Sequence, residues 1–361
     1  MLACHAAWRI LPRHVIEDEA KPVRLADVGE FALIDRLTRG LESRPDVALG
    51  VGDDAAALDL GAGQLLLATC DCQVEGRHFL TRIATPNEIG HKALAVNLSD
   101  IAAMGGEPLW AMVSLIAPPD LDVSVIDGIY DGLRTLAARY NVALVGGNVS
   151  STSGPLTLDI TALGRVARER MVTRAGARPG DHLLVTGNLG AGRIALRAFT
   201  APGATPPAVE LALVRERMVA PEPRGREGLA LAATGAVTAM LDISDGLAGD
   251  LGHICERSHV GALVDAAKLP VDDATRAVAQ ALGEDPVAQA LAGGDDYELL
   301  FTTRPEDVAR VMEAVRAWGT VATVIGEITA FEEGMRVREL DGAIRALAPR
   351  GWDHLAPNGA S

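Results

Sequence analysis

Several aspartates stand where the surrounding sequence reads as core or as a glycine turn. They are Asp53 and Asp54 in Gly52-Asp53-Asp54-Ala55-Ala56, Asp71 after the apolar run Gln64–Thr69, Asp100 in Val96–Gly105, and Asp242 and Asp245 in Asp242-Ile243-Ser244-Asp245-Gly246-Leu247. A buried carboxylate is too costly to keep ionised without a partner. Few Lys or Arg residues stand beside these positions in sequence. Mg²⁺ shared between carboxylates would be such a partner, and that arrangement points to phosphate chemistry.

Each aspartate also has a plainer reading. Asp53-Asp54 suits an Asx-type turn. Asp100 suits the solvated edge of a buried helix, or a cap made with Ser99. Ser244 or Asp245 suits an N-cap, although the same strand-to-helix junction also favours phosphate at a helix N-terminus. What favours chemistry is their number, because strand-end carboxylates converge only on something cationic. Gly187–Gly192 follows a strand, but its spacing is not GxGxxG and reads as a tight turn. Neither GxxxxGK[ST] nor a protein-kinase catalytic loop is present. A phosphoryl-transfer enzyme of this sequence must rely on metals and Arg. Taken singly, His78 and Trp352 read as a partly exposed His and a packing Trp.

The elements that must position these residues alternate short apolar strands with longer helical patterns, which gives a mixed α/β class in two domains. The pattern predicts a helix from Gly29 fading at Gly40 and a strand Val47–Gly52 leading into the Asp-Asp turn. It predicts a strand Gln64–Thr69 with Asp71 at its end, and a helix opened by Thr85-Pro86-Asn87-Glu88 and closed at Gly105-Gly106. Strands at Trp110–Ala117, Val142–Val145 (ending in Gly146-Gly147-Asn148) and Leu156–Val166 flank a helix Val123–Tyr140. Further on come strands His182–Thr186, Ala239–Ile243 and Ala322–Ile328, a turn and strand within Gly293–Phe301, and a helix Pro305–Trp318. The expected division is an extension over residues 1–27 outside the fold, an N-terminal domain over 28–168 and a C-terminal domain over 169–356.

Composition sets the outer bounds. The chain has 361 residues, 48% of them hydrophobic, and a net charge of −15. It is long enough for two domains and a large core. The acidic balance argues against broad nucleic-acid binding, which needs Lys and Arg to neutralise phosphates. The four cysteines, Cys4, Cys70, Cys72 and Cys255, form no zinc pattern and read as reduced thiols of a cytoplasmic protein. No apolar run is long enough for a transmembrane helix, and residues 1–27 lack the apolar segment of a signal peptide.

Taken in order, Gly29-Glu30-Phe31, Gly52–Ala56, Val74-Glu75-Gly76-Arg77-His78-Phe79, Lys92–Gly105, Asp242–Leu247 and Gly293–Leu299 resemble the thiamine-monophosphate kinase family over Val28–His354. The wider superfamily includes aminoimidazole ribonucleotide synthetase, selenophosphate synthetase and a hydrogenase maturation factor. The resemblance implies Mg²⁺-dependent transfer of the γ-phosphoryl of ATP to thiamine monophosphate. It implies a homodimer whose N-terminal sheets pair into a β-barrel, each with a C-terminal α/β domain. By position it makes Asp54, Asp71, Asp100 and Asp242 the catalytic set and, with Asp245, Mg²⁺ ligands, with Thr69 and Cys70 contributing near the metals. It assigns Tyr130, Gly147, Asn148, Arg174 and Ser244 to ATP, and His78, Asp295 and Trp352 to thiamine monophosphate.

This sequence departs from the family pattern in places. Asn148 stands where Asp is common, as a ligand without charge; Cys70 stands for Thr, and Asp295 for Glu. Ser150–Ser153 lacks an Arg often found after that turn. Two alternatives remain open. One is another ATP-using member of the superfamily, but Cys4 lacks the glycine-rich context of selenophosphate synthetase, and the sequence ends Pro357–Ser361 without the reactive Cys of the maturation factor. The other is a non-catalytic nucleotide-binding protein, against which the retained carboxylates argue.

Overall fold

The computed structural model describes residues 25–41, 44–201, 203, 205–349 and 351. The first half contains α1 (Leu25–Val28), α2 (Glu30–Thr38), β1 (Val47–Leu49), β2 (Ala56–Gly61), β3 (Gln64–Val74), α3 (Pro86–Ala103), β4 (Glu107–Ala117), α4 (Val123–Arg139), β5 (Ala143–Ser151) and β6 (Thr157–Ala167). The second contains β7 (His182–Thr186), α5 (Ala191–Thr200), α6 (Ala208–Val219), α7 (Gly225–Thr234), β8 (Val237–Asp242), α8 (Leu247–Ser258), β9 (Gly261–Asp265), α9 (Asp273–Leu282), α10 (Pro286–Ala292), β10 (Leu299–Thr303), α11 (Val308–Arg316), β11 (Ala322–Thr329), β12 (Met335–Arg338) and β13 (Ile344–Ala346).

The N-terminal sheet has the order β1-β2-β3-β6-β4-β5. Its spine is the antiparallel pair β3–β6, registered from Gln64↔Ala167 to Val74↔Thr157. Strand alternation then sorts β3: Leu65, Leu67 and Gln73 are buried on the face that carries Thr69 and Asp71, while Cys70 and Cys72 are exposed on the other face. Helix α3 covers the buried face. Thr85 and Glu88 form the expected capping box, with Pro86 in the first turn. From Ile89 to Ala103 almost every residue of α3 is buried, because the helix is also covered by α7 and β8 of the second domain. That sandwiching explains why α3 lacks the amphipathic pattern of a surface helix.

The second sheet has the order β13-β12-β9-β11-β7-β10-β8, antiparallel except for the β9–β12 pair. Leu183, Val185 and Leu241 pack toward α8, while Leu184, Met240 and Phe301 pack toward α7 and α11. With helices on both faces, the strands read as apolar runs rather than alternating ones.

Several boundaries differ from the sequence expectation. β3 continues to Val74, so Asp71 lies inside the strand, held by pairing with β6, and not at its end. β5 runs through Gly146-Gly147-Asn148, so that segment is strand and not a turn; parallel pairing to β4 overrides its glycine content. The sequence pattern does not predict the strands β2, β9, β12 and β13 or the helices α6, α7, α9 and α10. Pro305–Asp307 is a separate 3₁₀ turn ahead of α11. Among the described residues of one chain the N-terminal sheet is open, with β1 and β5 as its edges, and not a closed barrel. Residues 1–24 of the expected extension lie outside the described residues, while Leu25–Val28 forms a helical turn.

Candidate active site

Three of the aspartates converge. Asp54 comes from the β1–β2 turn, Asp100 from the last turn of α3 and Asp242 from the end of β8. Each offers a carboxylate oxygen, and these atoms lie within 4.8 Å of one another. Thr69 Oγ1 donates to Asp100 Oδ2 at 2.5 Å, and Ser99 Oγ donates to Asp242 Oδ2 at 2.5 Å. Burial drives the Asp100 carboxyl well above the carboxylate range, helped by the charges of Asp71, Asp242 and Asp54. Its place in the last turn of α3 adds to this, because a helix C-terminus disfavours negative charge. Burial, then the Asp54 charge, pushes Asp242 up to about 7. Burial also raises Asp54, against the pull of Arg174. Asp54 Oδ2 is buried with no hydrogen-bond partner among the described residues. Three hard oxygen donors, one of them orphaned, fit a divalent cation that prefers oxygen ligands, such as Mg²⁺.

A second ring of groups borders the three. Asp71 projects from β3 on the Thr69 side, and its backbone N–H donates to Asn97 Oδ1 at 3.1 Å. Arg174, in the connection between the sheets, reaches Asp54 Oδ1 with Nη2 at 2.6 Å and Nε at 3.2 Å. Its backbone N–H donates to Asp53, where burial and the adjacent Asp54 charge push the carboxyl up to about 6. Burial, then the charge of Glu30, pushes Asp245 up to about 7. The loop bearing Ser244 and Asp245 is pinned from below, because the N–H groups of Asp245 and Gly246 donate to buried Asp250 at 3.1 and 3.0 Å. From above, the N–H groups of Asp295 and Tyr297 donate to the carbonyls of Ser244 and Ile243, both at 2.8 Å. Gly294 allows this approach: a Cβ there would stand 2.3 Å from the Ser244 carbonyl oxygen.

Next to these loops opens a cleft of about 440 Å³ lined by His78, Phe79, Ile83, Lys92, Arg193, Asp295 and Met218, among others. His78 Nδ1 accepts the Val74 N–H at 3.0 Å, which places the neutral ring's proton on Nε2. Lys92 Nζ bridges Asp295 Oδ2 at 2.9 Å and the His78 carbonyl at 3.2 Å. Trp352 lies outside the described residues.

Other expected residues are not brought to this centre within one chain. The Cys70 thiol points to the opposite face of the sheet and donates to Asp159 Oδ1 at 3.0 Å. Asp71, Ile160, Val113 and Gly147 stand in one row across β3, β6, β4 and β5, so three strand spacings, roughly 14 Å, separate Gly147 from Asp71. Asn148 is the next residue along β5 and is exposed. Gly147 has a structural role of its own, because a Cβ would meet the Val113 carbonyl oxygen at 1.9 Å. Tyr130 stacks under Arg134 and follows Ile129, whose carbonyl abuts Gly90. Gly90 precedes Asp100 by about ten residues, roughly 15 Å of helix.

The sequence pattern offers Ser99 only as a cap and gives no role to Asn97, Lys92, Asp250 or Tyr297. Ser99 and Asn97 lie inside the Asp100 motif, and Asp250 is an acid in the first turn of α8, which were the available signals. The Arg174–Asp54 pair left none.

Residues 52–166 match the family described as AIR synthase related protein, N-terminal domain, and residues 178–337 match its C-terminal domain. The chain is 39% identical to the thiamine-monophosphate kinase of Escherichia coli O157:H7, covering 91% of this chain and 98% of that protein. It is 36% identical to that of Aquifex aeolicus, covering 92% and 100%. The solved structure of AaThiL complexed with AMPPCP and TMP superposes with a TM-score of 0.80 at 33% identity, covering 93% of this chain and all (100%) of that one.

Proposed function

Because this chain belongs to the AIR synthase related family and, within it, to the thiamine-monophosphate kinases, we propose that it transfers the γ-phosphoryl group of ATP to thiamine monophosphate, giving thiamine diphosphate and ADP. The observation that carries this reading is the meeting of Asp54, Asp100 and Asp242 from both domains beside the cleft that holds His78 and Asp295.

The acceptor is a phosphate monoester, largely dianionic at neutral pH since its second pKa is about 6. Its oxygen attacks the γ-phosphorus, the new P–O bond forms, the bond to the β-phosphate oxygen breaks, and ADP leaves. A dianionic nucleophile has no proton to lose, so the site needs no general base. What it needs is screening of two anions and their alignment. Bound Mg²⁺ supplies that screening. Asp54, Asp100 and Asp242, with Asp71 and Asp245 beside them, are the residues that would hold it, while Thr69 and Ser99 fix the carboxylate rotamers. Arg174 and Ser244 border the carboxylates and are assigned to the triphosphate. His78 and Asp295 are assigned to the acceptor.

The finer reading includes a homodimer. β5 is an exposed edge, and Val149 (75% exposed) and Trp110 (42%) lie uncovered on β5 and β4. An open edge of this kind is ordinarily paired or covered. In a dimer closed across this sheet, Tyr130, Gly147 and Asn148, remote from their own carboxylates, would serve the partner's nucleotide. Among the described residues no helix is long and apolar enough to cross a membrane, and a cytoplasmic location is part of the proposal. A coupled ADP-release assay with ATP, Mg²⁺ and thiamine monophosphate tests the activity, with thiamine and aminoimidazole precursors as controls. Equal turnover of thiamine and its monophosphate would overturn the assignment.

A further inference from the structure

We propose that Lys92 is a positioning residue that sets the affinity for the phosphate acceptor, by tying the two walls of the acceptor cleft together across the domain boundary. This rests on the assignment of that cleft to thiamine monophosphate. Lys92 projects from the first half of α3, and its side chain is 5% exposed. Its ammonium group touches both walls. It donates to the His78 carbonyl of the 74–79 turn in the N-terminal domain and forms an ion pair with Asp295 of the 293–298 loop in the C-terminal domain. A buried ammonium is costly, and it is retained only where its partners are fixed.

The loop it grips is strained. Asp295 and Tyr297 hold φ values of 68° and 51°, a left-handed conformation that costs non-glycine residues on the order of 1 kcal/mol each. Such a loop persists only where its surroundings over-determine it. Its backbone is held by the Ser244 and Ile243 carbonyls. Its carboxylate is held from both sides, by Lys92 on Oδ2 and by the Tyr297 hydroxyl, which donates to Oδ1 at 3.0 Å. Lys92 is the part of this clamp that belongs to the other domain, so its loss frees Asp295 relative to His78 while leaving the carboxylate cluster in place. The acceptor then meets a wider cleft, whereas ATP, assigned to the Arg174 and Ser244 side, meets an unchanged one.

The test compares the full-length protein with Lys92→Met, Asp295→Asn and the double variant. Lys92→Met is expected to raise KM for thiamine monophosphate at least tenfold, with KM for ATP within about twofold. In the Asp295→Asn background the same change should add less than about threefold. Amide hydrogen exchange without substrates should accelerate in residues 74–79 and 293–298 and stay unchanged at Thr69 and Ser99. The double variant removes both charges and keeps the test available if Lys92→Met alone fails to fold, because it should resemble Asp295→Asn. An unchanged KM for the acceptor, a parallel rise in both KM values with a lowered Tm, full additivity, or unaltered exchange would each overturn the proposal. The unmodified protein separates the two readings: no turnover of thiamine monophosphate there sinks the functional assignment, while the exchange experiment still decides whether Lys92 joins the walls.

Discussion

Arg174 Nη2 lies 2.6 Å from Asp54 Oδ1 across 120 residues of chain, while Asp54 Oδ2 beside it is buried without a partner among the described residues. The pair supplies one positive charge to a centre that gathers at least three carboxylates. Arg174→Met removes that charge and should destabilise the metal-free protein by about 3 kcal/mol, the usual cost of orphaning one member of a buried pair. Denaturant titration with and without Mg²⁺ measures this. The loss should shrink when Mg²⁺ is present, and an equal loss in both conditions would show that Arg174 and the cation do not share Asp54.

Asp100→Ala should lower turnover by about three orders of magnitude, in line with losing an electrostatic element of a phosphoryl-transfer site. It should not lower the Tm of the metal-free protein, because it deletes a carboxylate disfavoured by burial and by the charges of Asp71, Asp242 and Asp54. Steady-state rates with thermal melts check both. Near-normal turnover would reduce Asp100 to a structural residue.

Chelation with EDTA should abolish activity reversibly. Mg²⁺ together with a non-hydrolysable ATP analogue should raise Tm by mass action, with a stabilisation of about 2.7 kcal/mol when the ligand is at a hundred times its Kd. Full activity after exhaustive chelation would remove the metal from the reaction.

His253 gives a pH dependence of definite sign. It packs against Phe31 with ring centroids 5.1 Å apart, in a cleft that Asp35, Asp53, Arg174, Glu256 and Arg257 also line. Burial, then the charges of Arg174 and Arg257, lowers its pKa from 6.5 to about 4. Between these values the folded state binds fewer protons than the unfolded state, so this group's contribution is full above the unfolded pKa and is lost as pH falls toward 4. His253→Gln should flatten the slope of stability against pH in that window, by on the order of 3 kcal/mol over the range. An identical slope in both proteins would exclude His253 as its source.

The dimer proposal predicts a two-chain species by sedimentation at micromolar concentration. Charged substitution at exposed Val149 should dissociate it and reduce activity with it. Asn148→Asp should lower the Mg²⁺ concentration for half-maximal rate, since carboxylate binds Mg²⁺ better than amide. A fully active monomer, or superimposable Mg²⁺ curves, would remove the partner's contribution.

The class of fold, the capped helix at Thr85–Glu88 and the aspartates that form the centre are legible in the chain alone. These are local signals: a capping box is written in four adjacent residues, and an Asp inside an apolar run is visible without its neighbours in space. The same locality limits what is legible at Asp71 and Asn148. Local pattern ends a strand at each, yet pairing with β6 and β4 carries the strands past them, and strand pairing is a non-local energy. That Thr69 and Asp71 face the cluster while Cys70 faces away is settled by packing, because side-chain direction follows from which face of β3 the helix α3 covers. Packing also decides the partners. Arg174 reaches Asp54, Ser99 reaches Asp242, and Lys92 reaches Asp295, 203 residues away, and no spacing in the chain encodes a contact made by packing two domains on one helix.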